Sequence, residues 1–535
     1  MSRRGDVGRR GDATAYGTER VKQRTPVRGG AERDPRHPRV TVLARGRGAG
    51  VPAGVGWASL CRLVTDTHLR GERGQPVTTP ATIAARCAVG ARVASTAEPS
   101  PLVVLLGPDS DVGRALLARR PDRARTLLAA WQRVLPTDAL AIEVVCHGGP
   151  EGTPASRGHA ARLLGLADES GVPAVLTAAV RHVDPGESAV VDVLDAARRL
   201  VVLETRHLDR VTDAAHLAST PAMHAIAREV TGDTGRADAL VARTMALALD
   251  CVQDARRDLG IGAVHLPEPS ALGLETGADP QSVLEERCRA AVSVRYPEVG
   301  ERERHAIEGR LTDELKVVAE LGYPTYFLTV AAVVDLIKEM GVRVAARGSG
   351  AGSLVNYLLG ISGVDPIRYD LLMERFCSPL RAELPDIDID VESARRTEVY
   401  ERVLERFGGD RVTCVSMMDT YKVRHAVRDV GAALGLPPQE IDEIAKAFPH
   451  IRARDARSAI ADLPELRSRG LGSPRLQVLF DLVERLDGLP RHIALHPCGV
   501  VLSNSGLLDR TPVEASWLGF PMSQFDKDDV ETLGL

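Results

Sequence analysis

Three aspartates, Asp386, Asp388 and Asp390, alternate with Ile387, Ile389 and Val391 directly after Pro385. A strand has a side-chain period of two, so the carboxylates fall on one face and the apolar groups on the other. Aspartate is disfavoured in strands, and like charges on one face repel. A pair of divalent cations would offset that repulsion, because hard oxygen ligands suit Mg2+. Two such ions, clamping attacking and leaving oxygens, are a device of phosphoryl transfer. The other reading is a solvent-facing edge strand with acidic gatekeepers.

A second chemical segment is Arg347-Gly348-Ser349-Gly350-Ala351-Gly352-Ser353. It follows an apolar stretch, Val342–Ala346, and opens a predicted helix, Leu354–Leu359. Small residues let backbone N–H groups approach an anion, and a helix N-terminus adds partial positive charge. Arg347 has the fork geometry that pairs a phosphate. No Gly-Lys-Ser/Thr follows, and no acidic residue stands where a dinucleotide fold requires one. A plain strand-to-helix turn has the same composition.

Further along, Arg424 and Arg428 are spaced to share one helix face, which suits two phosphate contacts or an ordinary solvated surface. His492 and His496 lead into a predicted strand with no carboxylate or third His at ligand spacing. They read as packed or phosphate-contacting groups more readily than as metal ligands. Lys527 stands among Asp526, Asp528 and Asp529, either to meet a triphosphate or as a surface ion pair.

These segments need a scaffold. At roughly 150 residues per domain, 535 residues suggest three or four domains. The chain is 44% apolar and 26% charged, which excludes a disordered polymer. With 68 basic against 72 acidic residues the net charge is −4, so any nucleic-acid surface must be local. Only six of the basic residues are Lys, a bias that makes arginine richness uninformative by itself. No apolar run approaches the ~18 residues of a membrane span, and no apolar core follows the N-terminal charges as in a signal peptide. Eight scattered cysteines without a CxxC pair fit neither a zinc finger nor a disulfide framework, and suggest a cytoplasmic protein.

Residues 1–40 carry 11 basic and 5 acidic residues with little apolar periodicity and read as a disordered basic segment. From residue 41 to 270 apolar runs alternate with amphipathic stretches, an α/β layer pattern. Strands are predicted within Pro101–Pro108, Leu140–Cys146, Val172–Arg181 and Leu200–Glu204, with helices at Arg114–Val134 and Ser156–Ser170 between them. Residues 220–260 and 280–340 read as helical, as do 418–490; residues 491–535 read as short strands and turns.

Together these segments resemble the bacterial C-family DNA polymerases, the DNA polymerase III alpha subunit and its error-prone paralogue. The likeness runs through ELKVVAELGYPTYFLTVAAVVDLI, ARGSGAGSLVNYLLGISGVDPIRYDLLMERF and LPDIDIDVE. It continues through TYKVRHAVRDVGAALGLP and RHIALHPCGVVLS to QFDKDDVETLGL, over residues 280–535. The segment WASLCRLVTDTHLRGERG more weakly resembles the family's PHP domain. The resemblance implies an α/β chain in which a degenerate, incomplete PHP-like domain (41–270) precedes a palm of the polymerase-beta nucleotidyltransferase type. The palm would occupy 271–417 and 491–535, with a helical thumb inserted at 418–490.

It also implies template-directed DNA synthesis in replication or error-prone repair, with primer-template DNA and dNTPs as partners and no membrane. Other replication or repair proteins would meet regions outside these residues. Asp386 and Asp388 would be catalytic and hold two Mg2+ ions, with Asp390 extending the ligand set. Arg347, Gly348, Ser349 and Lys527 would bind the nucleotide, and Arg424, Arg428 and His496 would contact DNA phosphates. The sequence has no HxH pair of the kind that opens the family's PHP domain, so PHP phosphoesterase chemistry is not expected. The family's third catalytic Asp falls beyond Leu535, which leads us to expect a fragment impaired in catalysis, or a non-catalytic DNA- or partner-binding remnant.

Overall fold

The computed structural model describes residues 37–70, 73–88, 98–205, 210–377, 385 and 387–535. Most of the basic N-terminal segment, and Asp386, lie outside the described residues. Among the described residues ten strands form three sheets. The first sheet holds β1 (Thr41–Ala44), β2 (Leu102–Leu106), β3 (Leu140–Val145) and β4 (Ala174–Thr177) in sequence order. β1 is antiparallel to β2, and the remaining pairs are parallel. Every residue of β2 and β3 is buried, as expected where helices cover both faces of a parallel sheet. Alternation divides the strands between two cores. Leu102, Val104, Leu106, Ile142 and Val144 join one large cluster. Val103, Leu105, Ala141 and Val175 join Leu247 and Cys251 on the other face.

Two expectations for this region are corrected. The single helix expected at Arg114–Val134 is two, Asp111–Leu117 and Pro121–Val134. Arg119 turns the corner at φ 55°, and Pro121 can open a helix but not continue one. No strand forms at Leu200–Leu203: the helix Ser188–Arg199 ends at Leu200 in the left-handed region. Val201 and Leu203 then pack, with Val190 and Val193, against the helices that follow Thr420.

The second sheet is a hairpin-like pair, β5 (Val344–Arg347) and β6 (Asp388–Val391), antiparallel. It rests on the helices Pro280–Arg295, Glu301–Glu320 and Pro324–Glu339, whose inward residues include Leu284, Leu311, Leu315, Phe327 and Ala331. Among the described residues no single helix is long and apolar enough to cross a membrane.

The third sheet contains β7 (Val412–Thr420), β8 (Pro490–Leu502), β9 (Val513–Ala515) and β10 (Pro521–Asp526), ordered β8-β7-β10-β9. β8 is not short: it runs 13 residues, interrupted by an irregular register between Val500 and Leu495. Pro497, which has no N–H to donate, falls in that bulge. Between β7 and β8 the chain makes a helical unit with its own core around Phe448, Phe480 and Val483. The unit leaves the sheet at Thr420 and rejoins it at Pro490, two residues that are register partners.

The helix Val55–Arg70 of the first region crosses to the third sheet. Its Thr65 hydroxyl accepts from the Val513 amide at 3.0 Å, and Arg62 pairs with Asp410 at 2.9 Å and with Asp509. Trp57 stacks on Phe525 with centroids 6.3 Å apart, and its indole N–H donates to the Arg510 carbonyl.

Candidate active site

β6 has the alternation its sequence dictates: Asp388 and Asp390 are exposed, while Ile389 and Val391 face the core. β5 lies alongside with Arg347 directly opposite Asp388 and Ala345 opposite Asp390. The Arg347 guanidinium reaches both acids. Its Nε is 3.1 Å from an Asp390 oxygen, and an Nη is 3.9 Å from Asp388. All three side chains are open to water, at 65%, 60% and 66% exposure for Arg347, Asp388 and Asp390.

The glycine-rich loop begins at the end of β5. Gly348 has φ +76°, a conformation L side chains rarely adopt, and a Cβ there would lie 3.7 Å from an Asp388 carboxylate oxygen. The loop therefore starts against the acid strand, with Ser349 exposed beside it. Farther on it turns inward. A Cβ on Gly352 would stand 2.6 Å from the Leu372 carbonyl oxygen, so only glycine permits that approach.

A buried network fixes the inner side of the loop. Ser353 caps the helix Leu354–Leu358 by accepting from the Asn356 amide, and it donates to Glu314 at 3.0 Å. Glu314 also accepts from the Val355 amide at 3.2 Å and pairs with Arg310 at 3.0 Å. Arg310 in turn donates to the carbonyls of Gly352 and Leu371, each at 2.8 Å. Asn356 donates to the Gly350 carbonyl at 2.9 Å. Sequence reasoning missed Arg310, Glu314, Ser353 and Asn356 as a group. The available signal was Glu314 itself, an acid inside the apolar stripe Ile307, Leu311, Leu315, Val318.

The remaining candidates do not touch this cluster. Lys527 opens the helix Lys527–Thr532 after β10 and sits 3.7 Å from its neighbour Asp528, without a hydrogen bond or ion pair to the β5–β6 pair. Arg424 donates twice to the Phe448 carbonyl, at 2.9 and 2.7 Å, and Arg428 pairs with Asp442 at 3.2 Å. Both thus tie together helices of the unit between β7 and β8. His496 lies in the β8 bulge, where its Nδ1 accepts from the Cys498 amide at 3.2 Å.

His492 does have a carboxylate neighbour, contrary to the reading from spacing. Strand register puts Asp419 opposite it, 3.4 Å away, and brings His425 within 3.5 Å of the same oxygen. Arg491 joins Asp419 to Asp429, whose carboxylate is 2.8 Å from Arg491. Burial, and then the nearby Asp429, push the Tyr421 phenol well above its usual range. This cluster braces the root of the helical unit. Among the described residues no three His, Cys, Asp or Glu side chains gather as a metal-holding group. The acid strand nevertheless offers two exposed carboxylates on one face, a donor set that fits a hard divalent cation.

Residues 282–535, a little under half of the chain, match the family described as the bacterial DNA polymerase III alpha NTPase domain. Both the acid strand and the glycine loop lie inside that match. Through these residues the chain is similar to the bacterial C-family polymerases. An error-prone DNA polymerase of Symbiobacterium thermophilum is 36% identical over 372 residues, 69% of this chain and 33% of that protein. The DNA polymerase III subunit alpha of Bacillus subtilis is 32% identical over 376 residues, 70% of this chain and 32% of the relative. An error-prone DNA polymerase of Nocardia farcinica is 31% identical over 509 residues, 94% of this chain and 40% of the relative. The chain thus spans about a third to two fifths of the length of these C-family relatives.

Proposed function

We propose that the chain carries the nucleotide-binding part of a DNA-directed DNA polymerase palm and works in replication or error-prone repair synthesis. The observation that carries this reading is the exposed Asp388–Asp390 face abutting the Gly348–Gly352 loop, within the segment that matches the C-family. In this proposal Asp386 and Asp388 hold two Mg2+ ions, and Asp390 extends the set. Bound cations would supply charge stabilisation to the attacking and leaving oxygens of nucleotidyl transfer. Arg347, the loop amides from Gly348 and the Ser349 hydroxyl would cradle the triphosphate of a dNTP. Lys527 would approach it from β10.

The α/β unit from 41 to 270 is proposed as a PHP-like domain, and the helices between β7 and β8 as the thumb. Arg428, which is 40% exposed, and His496 are the proposed phosphate contacts on primer-template DNA. Arg424 serves the same surface by holding the Phe448 carbonyl. A cytoplasmic location follows from this role.

The test is primer extension by the 535-residue chain with Mg2+ and dNTPs. Incorporation that Asp388→Ala abolishes is the expected result. Salt-dependent DNA binding with no incorporation would select the second reading, a non-catalytic DNA-binding remnant.

A further inference from the structure

The geometry points to a handover at Arg347. Resting on the reading above, it assigns this arginine as the built-in counter-ion of the acid strand, released to the triphosphate when a divalent cation takes the carboxylates. Asp388 and Asp390 lie two residues apart on one face of β6, and their repulsion needs a positive charge. Arg347 supplies it from the neighbouring strand, with contacts of 3.1 Å to Asp390 and 3.9 Å to Asp388. The nearby Arg343, just outside this pair of strands, does not compete. Arg343 lies beyond the far end of β5, 4.0 Å from Glu392.

The same guanidinium stands at the mouth of the glycine loop, where the family resemblance directs a triphosphate. It cannot pair fully with carboxylates and phosphate at once. The cation and Arg347 compete for the same oxygens, and the carboxylates and the triphosphate compete for the same guanidinium. Cation binding therefore frees Arg347, and triphosphate binding empties the carboxylates. By linkage each ligand favours the other through Arg347, apart from any contact between them. High exposure keeps the resting pair weak enough to exchange, since exposed ion pairs contribute little.

The experiment is a double-mutant cycle read as Mn2+ affinity by electron paramagnetic resonance on the full chain. It compares the wild type, Arg347→Gln, Asp390→Asn and the double variant without nucleotide. Thermal unfolding checks that all four fold. The handover predicts that Arg347→Gln tightens Mn2+ binding about two- to fivefold in the Asp390 background. It predicts little tightening in the Asp390→Asn background, where the shorter Arg347 contact is already gone. A through-space effect would tighten both equally. In a second arm, with cations chelated, Asp390→Asn should bind inorganic triphosphate more tightly than the wild type because Arg347 is freed. Equal Mn2+ tightening in both backgrounds, or no gain in triphosphate affinity, overturns the handover alone. A wild-type chain that binds neither Mn2+ nor triphosphate overturns the proposed function and the handover with it.

Discussion

The glycine loop lies between two charge clusters of similar chemistry and opposite setting. On the inner side Glu314, 4% exposed, meets Arg310, Ser353 and a backbone amide. On the outer side Asp388 and Asp390 meet Arg347 with all three side chains mostly in water. A charge removed from water must be fully satisfied, so the inner cluster fixes geometry and resists change. A hydrated pair costs little to open, so the outer cluster can trade partners. Position relative to solvent, more than residue type, separates the part that holds the loop from the part that can act.

The sharpest way to break this contrast is Glu314→Ala. It leaves the buried Ser353 hydroxyl and Val355 amide without their acceptor and Arg310 without its carboxylate, and should destabilise by about 3–5 kcal/mol in denaturant unfolding. A smaller loss, of about 1–3 kcal/mol, is expected for Gly352→Ala, because the new methyl must displace the Leu372 carbonyl. Ser353→Ala should cost about 1 kcal/mol as a lost helix cap, somewhat more if Glu314 finds no replacement donor. Arg347→Gln stands at the other end. Its unfolding free energy should stay within about 0.5 kcal/mol of the wild type while Mn2+ affinity changes. If Arg347→Gln proved as destabilising as Glu314→Ala, the distinction between a fixed inner and an exchangeable outer cluster would fail.

What could be read from the sequence follows the same division. The Asp388–Val391 alternation was legible because a strand's two faces are written in consecutive residues. The loop was legible because its glycines are contiguous. Arg347 opposite Asp388 was not, since that pairing depends on the register of β5 with β6 across an intervening segment. Nor was Asp419 opposite His492, where the partner strand lies beyond the whole helical unit. Glu314 was hidden differently: on a long amphipathic helix an acid flanked by Leu311 and Leu315 looks like a local irregularity until Ser353 arrives. The missing strand at Leu200–Leu203 reflects a tertiary choice. Apolar Val201 and Leu203 could have paired in the first sheet, yet packed on the helices beyond Thr420.

That choice has a mechanical consequence. The helical unit joins its sheet through the Thr420–Pro490 pair and the Arg491–Asp429 and His425–Asp419 contacts beside it, a narrow junction that makes a pivot. Val190, Val193, Val201 and Leu203 lash the unit to the first region at a second point. Any swing about the pivot must drag the Ser188–Arg199 helix along or peel it away. Amide exchange in that helix is therefore a built-in gauge of how far the lever has turned.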